Sequence, residues 1–306
     1  MNARLSIIPT LGILAIGTPE CTSTEDDVTA DEGGEATEDG SESSMIEPES
    51  EGCGQPLAGD WFAPYMTTWG GTGNRATLNV DGVEREYIIE IPEPYDPSTP
   101  YPLVIAFHGN NSRMDNAYGQ QLGLEFEYQA FVAYPQGLPG EGIDAIWHLQ
   151  AESIDVDLFD ALVEEIGRRG CVDNRRIYTW GYSRGGYFAN LLACVRGDVI
   201  RGSSSAAAGM PLENEDCVGP VAQFIVRGTD DPVVPEIEPR LAKEAWLELD
   251  ACSEQSSPGY HPDCKVFDDC ESDSSVVYCE SAGFGHVLHQ DIPGMQQAAV
   301  AFLKSL

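Results

Sequence analysis

Apolar and polar positions follow recognisable periods from residue 53 onward. Thr77 to Val80 and Glu86 to Ile91 flank Asp81-Gly82, a turn pair that predicts an antiparallel hairpin. Leu103 to Phe107 and Ala130 to Tyr134 are short unbroken apolar runs, as expected of strands buried on both faces of a parallel sheet. Asp155 to Arg169 places Val156, Phe159, Leu162, Val163 and Ile166 on one stripe, the spacing of an amphipathic helix. Further along, Arg176 to Trp180 predicts a strand, Arg184 to Val195 a helix, Val221 to Val226 a strand and Pro239 to Leu249 a helix. Ser275 to Tyr278 predicts another strand and Pro293 to Leu306 a closing helix. Strands alternating with helices predict an α/β fold with a mostly parallel central sheet flanked by helices.

Ahead of residue 53 this patterning is missing. Arg4 precedes an apolar run from Leu5 to Gly17, shorter than the ~20 residues of a membrane span. It predicts a secretory signal peptide over residues 1–21. Thr18, Pro19 and Glu20 lack the usual small-residue cleavage pattern, while Cys21 stands where a lipoprotein carries its acylated cysteine. From Thr22 to Gly52 there are twelve acidic residues and no Lys or Arg, and the larger apolar side chains besides Pro48 are Val28, Met45 and Ile46. That composition cannot offset the entropy of ordering, so 22–52 is expected to be a disordered acidic tether. One α/β domain is expected over 53–306. Across 306 residues, 51 Asp plus Glu against 16 Lys plus Arg leave a net charge of −35. Such a chain repels phosphate backbones and anionic membranes. No nucleic-acid partner is expected, and membrane contact only through an acylated Cys21.

Eight cysteines remain beyond Cys21: Cys53, Cys171, Cys194, Cys217, Cys252, Cys264, Cys270 and Cys279. An even number behind an export signal predicts a disulfide-stapled extracellular protein. No Cys-x-x-Cys pair occurs and no His is spaced with cysteines as zinc requires, so no metal is expected. The most local pairing joins Cys194 to Cys217 and Cys252 to Cys279, leaving Cys264 with Cys270 and Cys53 with Cys171.

Gly181-Tyr182-Ser183-Arg184-Gly185 is a Gly-x-Ser-x-Gly pattern between a predicted strand and a predicted helix. Its glycines leave room for the tight turn that lifts a serine hydroxyl above the sheet. A serine nucleophile needs a base, and the base an orienting acid; in this architecture they follow in the order Ser, Asp or Glu, His. His261, His286 and His289 are the histidines after Ser183. His286 hangs on Gly283-Phe284-Gly285 between the strand ending at Cys279 and the last helix, the place of a triad base. His289 is its main competitor, and His261 reads as an excursion off the sheet; both are expected otherwise to be solvated loop histidines. Asp230 and Asp231 follow the strand Val221 to Val226, and Pro232 biases Asp231 toward the extended backbone that presents it to the cleft. The expected oxyanion donors are the N–H groups of Arg184 and Asn110, the latter in the loop Phe107-His108-Gly109-Asn110-Asn111. Tyr182, Trp147 and His108 are expected at the substrate. Trp147 would stack on an aromatic acyl group or serve the core, and His108 would brace its loop.

Several stretches together carry a resemblance. They are Pro102-Leu103-Val104-Ile105-Ala106-Phe107-His108-Gly109, Asp173-Asn174-Arg175-Arg176-Ile177-Tyr178 leading into Gly-Tyr-Ser-Arg-Gly-Gly, Gly228-Thr229-Asp230-Asp231-Pro232-Val233-Val234-Pro235, and Gly285-His286. From about Cys53 to the C-terminus the chain resembles the secreted feruloyl esterase, acetylxylan esterase and polyhydroxybutyrate depolymerase group of the α/β-hydrolase superfamily. The cysteines before Gly285-His286 are more similar to feruloyl esterases. The resemblance implies an α/β-hydrolase fold, no cofactor, and Ser183, Asp231 and His286 as triad. Val287-Leu288 stands where depolymerases carry Trp-Pro, and Arg184 where a small or apolar residue is usual. The expected activity is that of a secreted, monomeric serine carboxylesterase on hydroxycinnamoyl esters of plant polysaccharide. Polyhydroxybutyrate or acetylated xylan are the alternative substrates. An inactive polysaccharide-binding surface protein is the non-enzyme alternative, against which the intact set of three triad residues stands.

Overall fold

The unbroken apolar runs form the middle of one large sheet, and their lack of alternation has a direct cause. On β4 (Tyr101–Phe107), Leu103, Ile105 and Phe107 enter one buried cluster while Val104 and Ala106 enter another, so both faces are covered. The computed structural model describes residues 47–68, 71–212, 216–270 and 274–306. The expected export signal, Cys21 and the tether up to residue 46 lie outside the described residues.

Before β4 come β1 (Ala63–Met66), β2 (Thr72–Val80) and β3 (Val83–Glu90). After it come α1 (Met114–Tyr118), α2 (Leu122–Glu125), β5 (Phe131–Pro135), β6 (Leu138–Gly140) and β7 (Ile143–Ile146). Next are α3 (Ile154–Arg169), β8 (Val172–Tyr182), α4 (Arg184–Val195), β9 (Gly202–Ala206) and β10 (Ala222–Gly228). The chain closes with α5 (Ile237–Leu249), β11 (Ser257–Gly259), β12 (His261–Phe267), β13 (Val276–Ser281) and α6 (Met295–Lys304). Among the described residues the sheet has eleven strands, in the order β1-β2-β3-β5-β4-β8-β9-β10-β13-β12-β11. The run from β5 to β13 is parallel, with antiparallel additions at both edges. Helices α3, α4 and α5 pack on one face, and α1, α2 and α6 on the other.

The hairpin of β2 and β3 turns at Asp81 and Gly82, both at positive φ (49° and 86°). That is the twist of a two-residue hairpin turn. Several elements depart from the sequence expectations, β9 and β12 among them. β9 reads Gly-Ser-Ser-Ser-Ala, which lacks an apolar signature, yet every residue of it is buried between β8 and β10. His261 opens the antiparallel strand β12 rather than leaving the sheet.

The tether boundary also moves. Residues 47–52, expected to be disordered, lie along the start of β8: Ser50 N–H donates to the Val172 carbonyl at 3.0 Å, and Gly52 N–H to the Gly167 carbonyl at 2.8 Å. Asn174 Nδ2 donates to the Glu47 carbonyl at 2.9 Å. Main-chain hydrogen bonds, which composition does not reveal, order this stretch.

Cys53 pairs with Cys171 and Cys194 with Cys217. The other two pairs differ from the local guess: Cys252 joins Cys270 and Cys264 joins Cys279. Cys264 and Cys279 are direct cross-strand neighbours on β12 and β13, and Cys252 faces Cys270 in an antiparallel bridge. Strand pairing, not sequence distance, brings the sulfurs together. Four disulfides fit an extracellular protein.

Candidate active site

The serine sits at a main-chain hinge. β8 ends at Tyr182, α4 begins at Arg184, and Ser183 between them takes φ 53° and ψ −125°. A non-glycine residue at positive φ is strained and persists only where its surroundings over-determine it. Here they do: a Cβ on Gly185 would meet the Phe107 carbonyl oxygen at 2.3 Å, so helix α4 begins in main-chain contact with the end of β4. Ser183 N–H donates to the Ala206 carbonyl at 2.9 Å, and the Ser183 carbonyl accepts from Gly186 N–H at 2.8 Å.

Ser183 Oγ lies 2.9 Å from His286 Nε2, and His286 Nδ1 lies 2.8 Å from Asp231 Oδ2. The remaining carboxylate oxygen of Asp231 accepts from the N–H groups of Val233 at 2.8 Å and Val234 at 3.0 Å. Burial pushes the Asp231 carboxyl up, but the imidazole and these two N–H donors outweigh it and hold the group below the usual carboxylate range. Asp230 is exposed and takes its hydrogen bond from Thr229 Oγ1 at 3.0 Å. The loops bearing Asp231 and His286 are braced together: Asp230 N–H donates to the Phe284 carbonyl at 2.8 Å, and a Cβ on Gly228 would meet that oxygen at 2.2 Å. Tyr182 completes the brace, its hydroxyl donating to the His286 carbonyl at 3.2 Å.

His289, the sequence rival of His286, is not solvated, and its ring pairs with a different serine. It is fully buried, packs on Trp180 with ring centroids 4.0 Å apart, and meets Ser204 Oγ at 2.9 Å. Burial lowers its pKa to about 3. His261 binds the Pro293 carbonyl through Nε2 at 3.1 Å.

Trp147 is not a substrate wall. It is fully buried, stacked on Phe188 at 5.3 Å with a 6° interplanar angle and edge-on to Phe107. His108 is also buried, and desolvation lowers its pKa to about 4, so the ring is neutral near pH 7. Gly137 N–H donates to its Nε2 at 3.0 Å, which leaves the proton on Nδ1 for the Gly109 carbonyl at 2.8 Å. A Cβ on Gly109 would lie 3.6 Å from that of Ser183, so this loop roofs the serine, with Asn110 exposed one residue on. Arg184 turns its side chain away, Nε donating to the Trp147 carbonyl at 2.8 Å.

A cavity of about 760 Å³ is lined by His108, Gly109 and Tyr182, of which the last two adjoin Ser183; the triad residues themselves do not line it. Ala117, Tyr118 and Leu288 give it apolar walls; Asn116 and Gln120 add amide groups. The α1 region escaped the sequence reading because a five-residue helix shows no period. Its only signal was a position directly after the Phe107-His108-Gly109 loop. Among the described residues, no group of three or more His, Cys, Asp or Glu is placed to hold a metal ion.

No family model matches the chain. Feruloyl esterase C of Emericella nidulans is 31% identical over 174 residues, covering 54% of this chain and 63% of the relative. Feruloyl esterase D of Neurospora crassa is 25% identical over 243 residues, covering 72% of this chain and 80% of the relative. The match thus spans less than two thirds of the first relative's length. Among solved structures, an acetyl xylan esterase from Aspergillus awamori superposes with a TM-score of 0.56 at 12% identity, covering 74% of this chain and all 100% of the other. A ferulic acid esterase from Anaeromyces mucronatus, in complex with ferulic acid, gives 0.55 at 16% identity, covering 82% and 93%. In sequence the chain resembles the feruloyl esterases, and its fold is that of the α/β-hydrolases.

Proposed function

We propose that this protein is a serine carboxylesterase that hydrolyses hydroxycinnamoyl esters of plant polysaccharide, acting outside the cell as a monomer. The observation that carries the reading is the unbroken relay from Ser183 through His286 to Asp231, next to a partly apolar cavity that the serine's neighbours Gly109 and Tyr182 line. At about 760 Å³ the cavity falls within the range of small-molecule sites, about 300–1,000 Å³. Similarity to feruloyl esterases points the same way.

In this reading His286 Nε2 takes the Ser183 proton as Oγ attacks the ester carbonyl. Asp231 holds the Nδ1 proton and stabilises the imidazolium. The N–H groups of Arg184 and of the Gly109-Asn110 stretch receive the oxyanion. The imidazolium then protonates the leaving alcohol, and water repeats the sequence on the acyl-enzyme. Strain at Ser183 keeps Oγ presented, so no rearrangement precedes attack. An acylated Cys21 would tether the enzyme to its cell.

Parallel assays on methyl ferulate, acetylated xylan and polyhydroxybutyrate test the substrate, with Ser183→Ala as the blank. Turnover of methyl ferulate above the other two is the expected result. A preference for either polymer overturns the hydroxycinnamoyl assignment, and turnover by Ser183→Ala equal to wild type overturns the nucleophile.

A further inference from the structure

The two elements that would receive the oxyanion are both tied to one buried residue, Trp147. The indole Nε1–H of Trp147 donates to the His108 carbonyl at 2.8 Å, and the Trp147 carbonyl accepts from Arg184 Nε at 2.8 Å. One residue therefore grips the loop after β4 by its ring and the residue after the nucleophile by its main chain. The grip itself is anchored. His148 N–H and Nδ1 both reach Asp155 Oδ2 at 2.8 Å, and Asp155 Oδ1 takes Arg85 Nη2 at 2.8 Å, with both Asp155 and Arg85 buried. Trp147 is thereby fixed to α3 and β3, far more rigid than a loop.

Peptide planarity turns these contacts into a directional statement. In a trans peptide the C=O and the following N–H point in opposite directions. Holding the His108 carbonyl toward Trp147 sets the direction of Gly109 N–H. Holding the Gly109 carbonyl toward the His108 ring, at 2.8 Å from Nδ1, sets Asn110 N–H. Both peptides of the loop are thus oriented by ring N–H donors. Phenylalanine would keep an aromatic ring against Phe188 but lacks the N–H and part of the indole's volume, so the Arg184 contact gives the second, packing-independent handle on the clamp.

We propose that Trp147 is a positioning residue that fixes both oxyanion-donor elements relative to each other, and that Arg184 acts with it through its side chain. This rests on the esterase reading above. Its consequence is selective: the clamp matters for the tetrahedral state, in which the donors carry charge, and little for the bound ester.

The test uses Trp147→Phe and Arg184→Met in the full chain, with 4-nitrophenyl acetate and methyl ferulate as substrates. Benzeneboronic acid, which forms a tetrahedral adduct on a serine, and ferulate, a ground-state ligand, serve as binding probes. Each variant should lose about tenfold to a hundredfold in kcat, the scale of a misplaced catalytic group. KM should stay nearly unchanged. Affinity for the boronic acid should fall by a similar factor while ferulate affinity holds. Arg184→Lys, which keeps a donor, should retain part of the activity that Arg184→Met loses. An increase in KM at constant kcat, an equal loss of boronic acid and ferulate affinity, or wild-type behaviour of both variants overturns the proposal. If Trp147→Phe fails to fold, Arg184→Met, at a half-buried position, decides by the same readouts. A wild-type protein that turns over neither ester overturns the esterase reading, and this proposal with it.

Discussion

At the centre of the sheet, β4, β8 and β10 hold the loops at their ends by burial and by main-chain contact. At the C-terminal edge, β12 and β13 are held by sulfur. Gly185 touches the Phe107 carbonyl and Gly228 the Phe284 carbonyl, contacts that leave no room for a side chain. Cys264 and Cys279 instead bridge neighbouring strands, and Cys252 and Cys270 fasten the segment after α5 to the segment after β12. The centre gains geometric definition, which the proposed chemistry needs. The edge gains resistance to opening, because a crosslink restricts the unfolded chain. Single-atom changes at the centre should therefore remove activity and spare stability, and changes at the edge should do the reverse.

The largest expected effect separates two neighbouring carboxylates. Asp231→Asn should lower kcat/KM by up to about ten-thousandfold, the scale seen for the equivalent change in another serine hydrolase. Asp230→Asn should alter it by less than about tenfold, because its exposed charge acts only through screened solvent. Steady-state kinetics on both variants checks the contrast; the reverse order would move the acid to Asp230.

Removing disulfides should spare catalysis and lower stability in order of loop length. With its partners 118 positions apart, Cys53–Cys171 should contribute about 5 kcal/mol, against about 3 kcal/mol for Cys264–Cys279 at a separation of 15. Double Cys→Ser variants, unfolded in denaturant and assayed per folded molecule, give the comparison. Equal losses would place native-state strain above chain entropy.

Asp250 sharpens the contrast through pH. Desolvation raises its pKa from 3.8 to about 7, against hydrogen bonds from Ser274 and Val221 N–H that favour the charged form. A folded-state pKa above the unfolded one gives stability that is complete below about pH 4 and lost as pH rises toward 7. Asp250→Asn should therefore match wild type at pH 4 and exceed it at pH 8 by a few degrees in Tm. Thermal unfolding at the two values checks this, and a variant less stable at pH 8 would contradict it.

The smallest effect concerns the N-terminus. Deleting residues 1–46 should leave kcat/KM and Tm unchanged. Extending the deletion through Gly52 should lower Tm alone, because it removes the hydrogen bonds of Ser50 and Gly52 to the ends of α3 and β8. A drop in activity with the shorter deletion would mean that the acidic segment reaches the cleft.

The same contrast governs what could be read from the sequence. That Ser183, Asp231 and His286 would meet in space was legible, because a serine–histidine–acid relay demands a fixed order and because glycines and a proline mark their loops. The parallel strands were legible because burial on both faces writes an unbroken apolar run. β9 was not, since Ser203, Ser204 and Ser205 look like a loop until strands on both sides enclose them. The roles of Trp147 and His289 were hidden because a ring N–H or a buried imidazole reveals its task only through its partner. Cysteine pairing failed where β12 and β13 set the neighbours, a register that spacing does not encode.

The central claim is that Ser183 is the nucleophile of a hydroxycinnamoyl esterase. Its most direct test is rapid acid quenching during turnover of 4-nitrophenyl ferulate, followed by peptide mass analysis. The account predicts one feruloyl group covalently attached at Ser183, absent from Ser183→Ala. A feruloyl adduct on another residue, or continued turnover by Ser183→Ala, would contradict it.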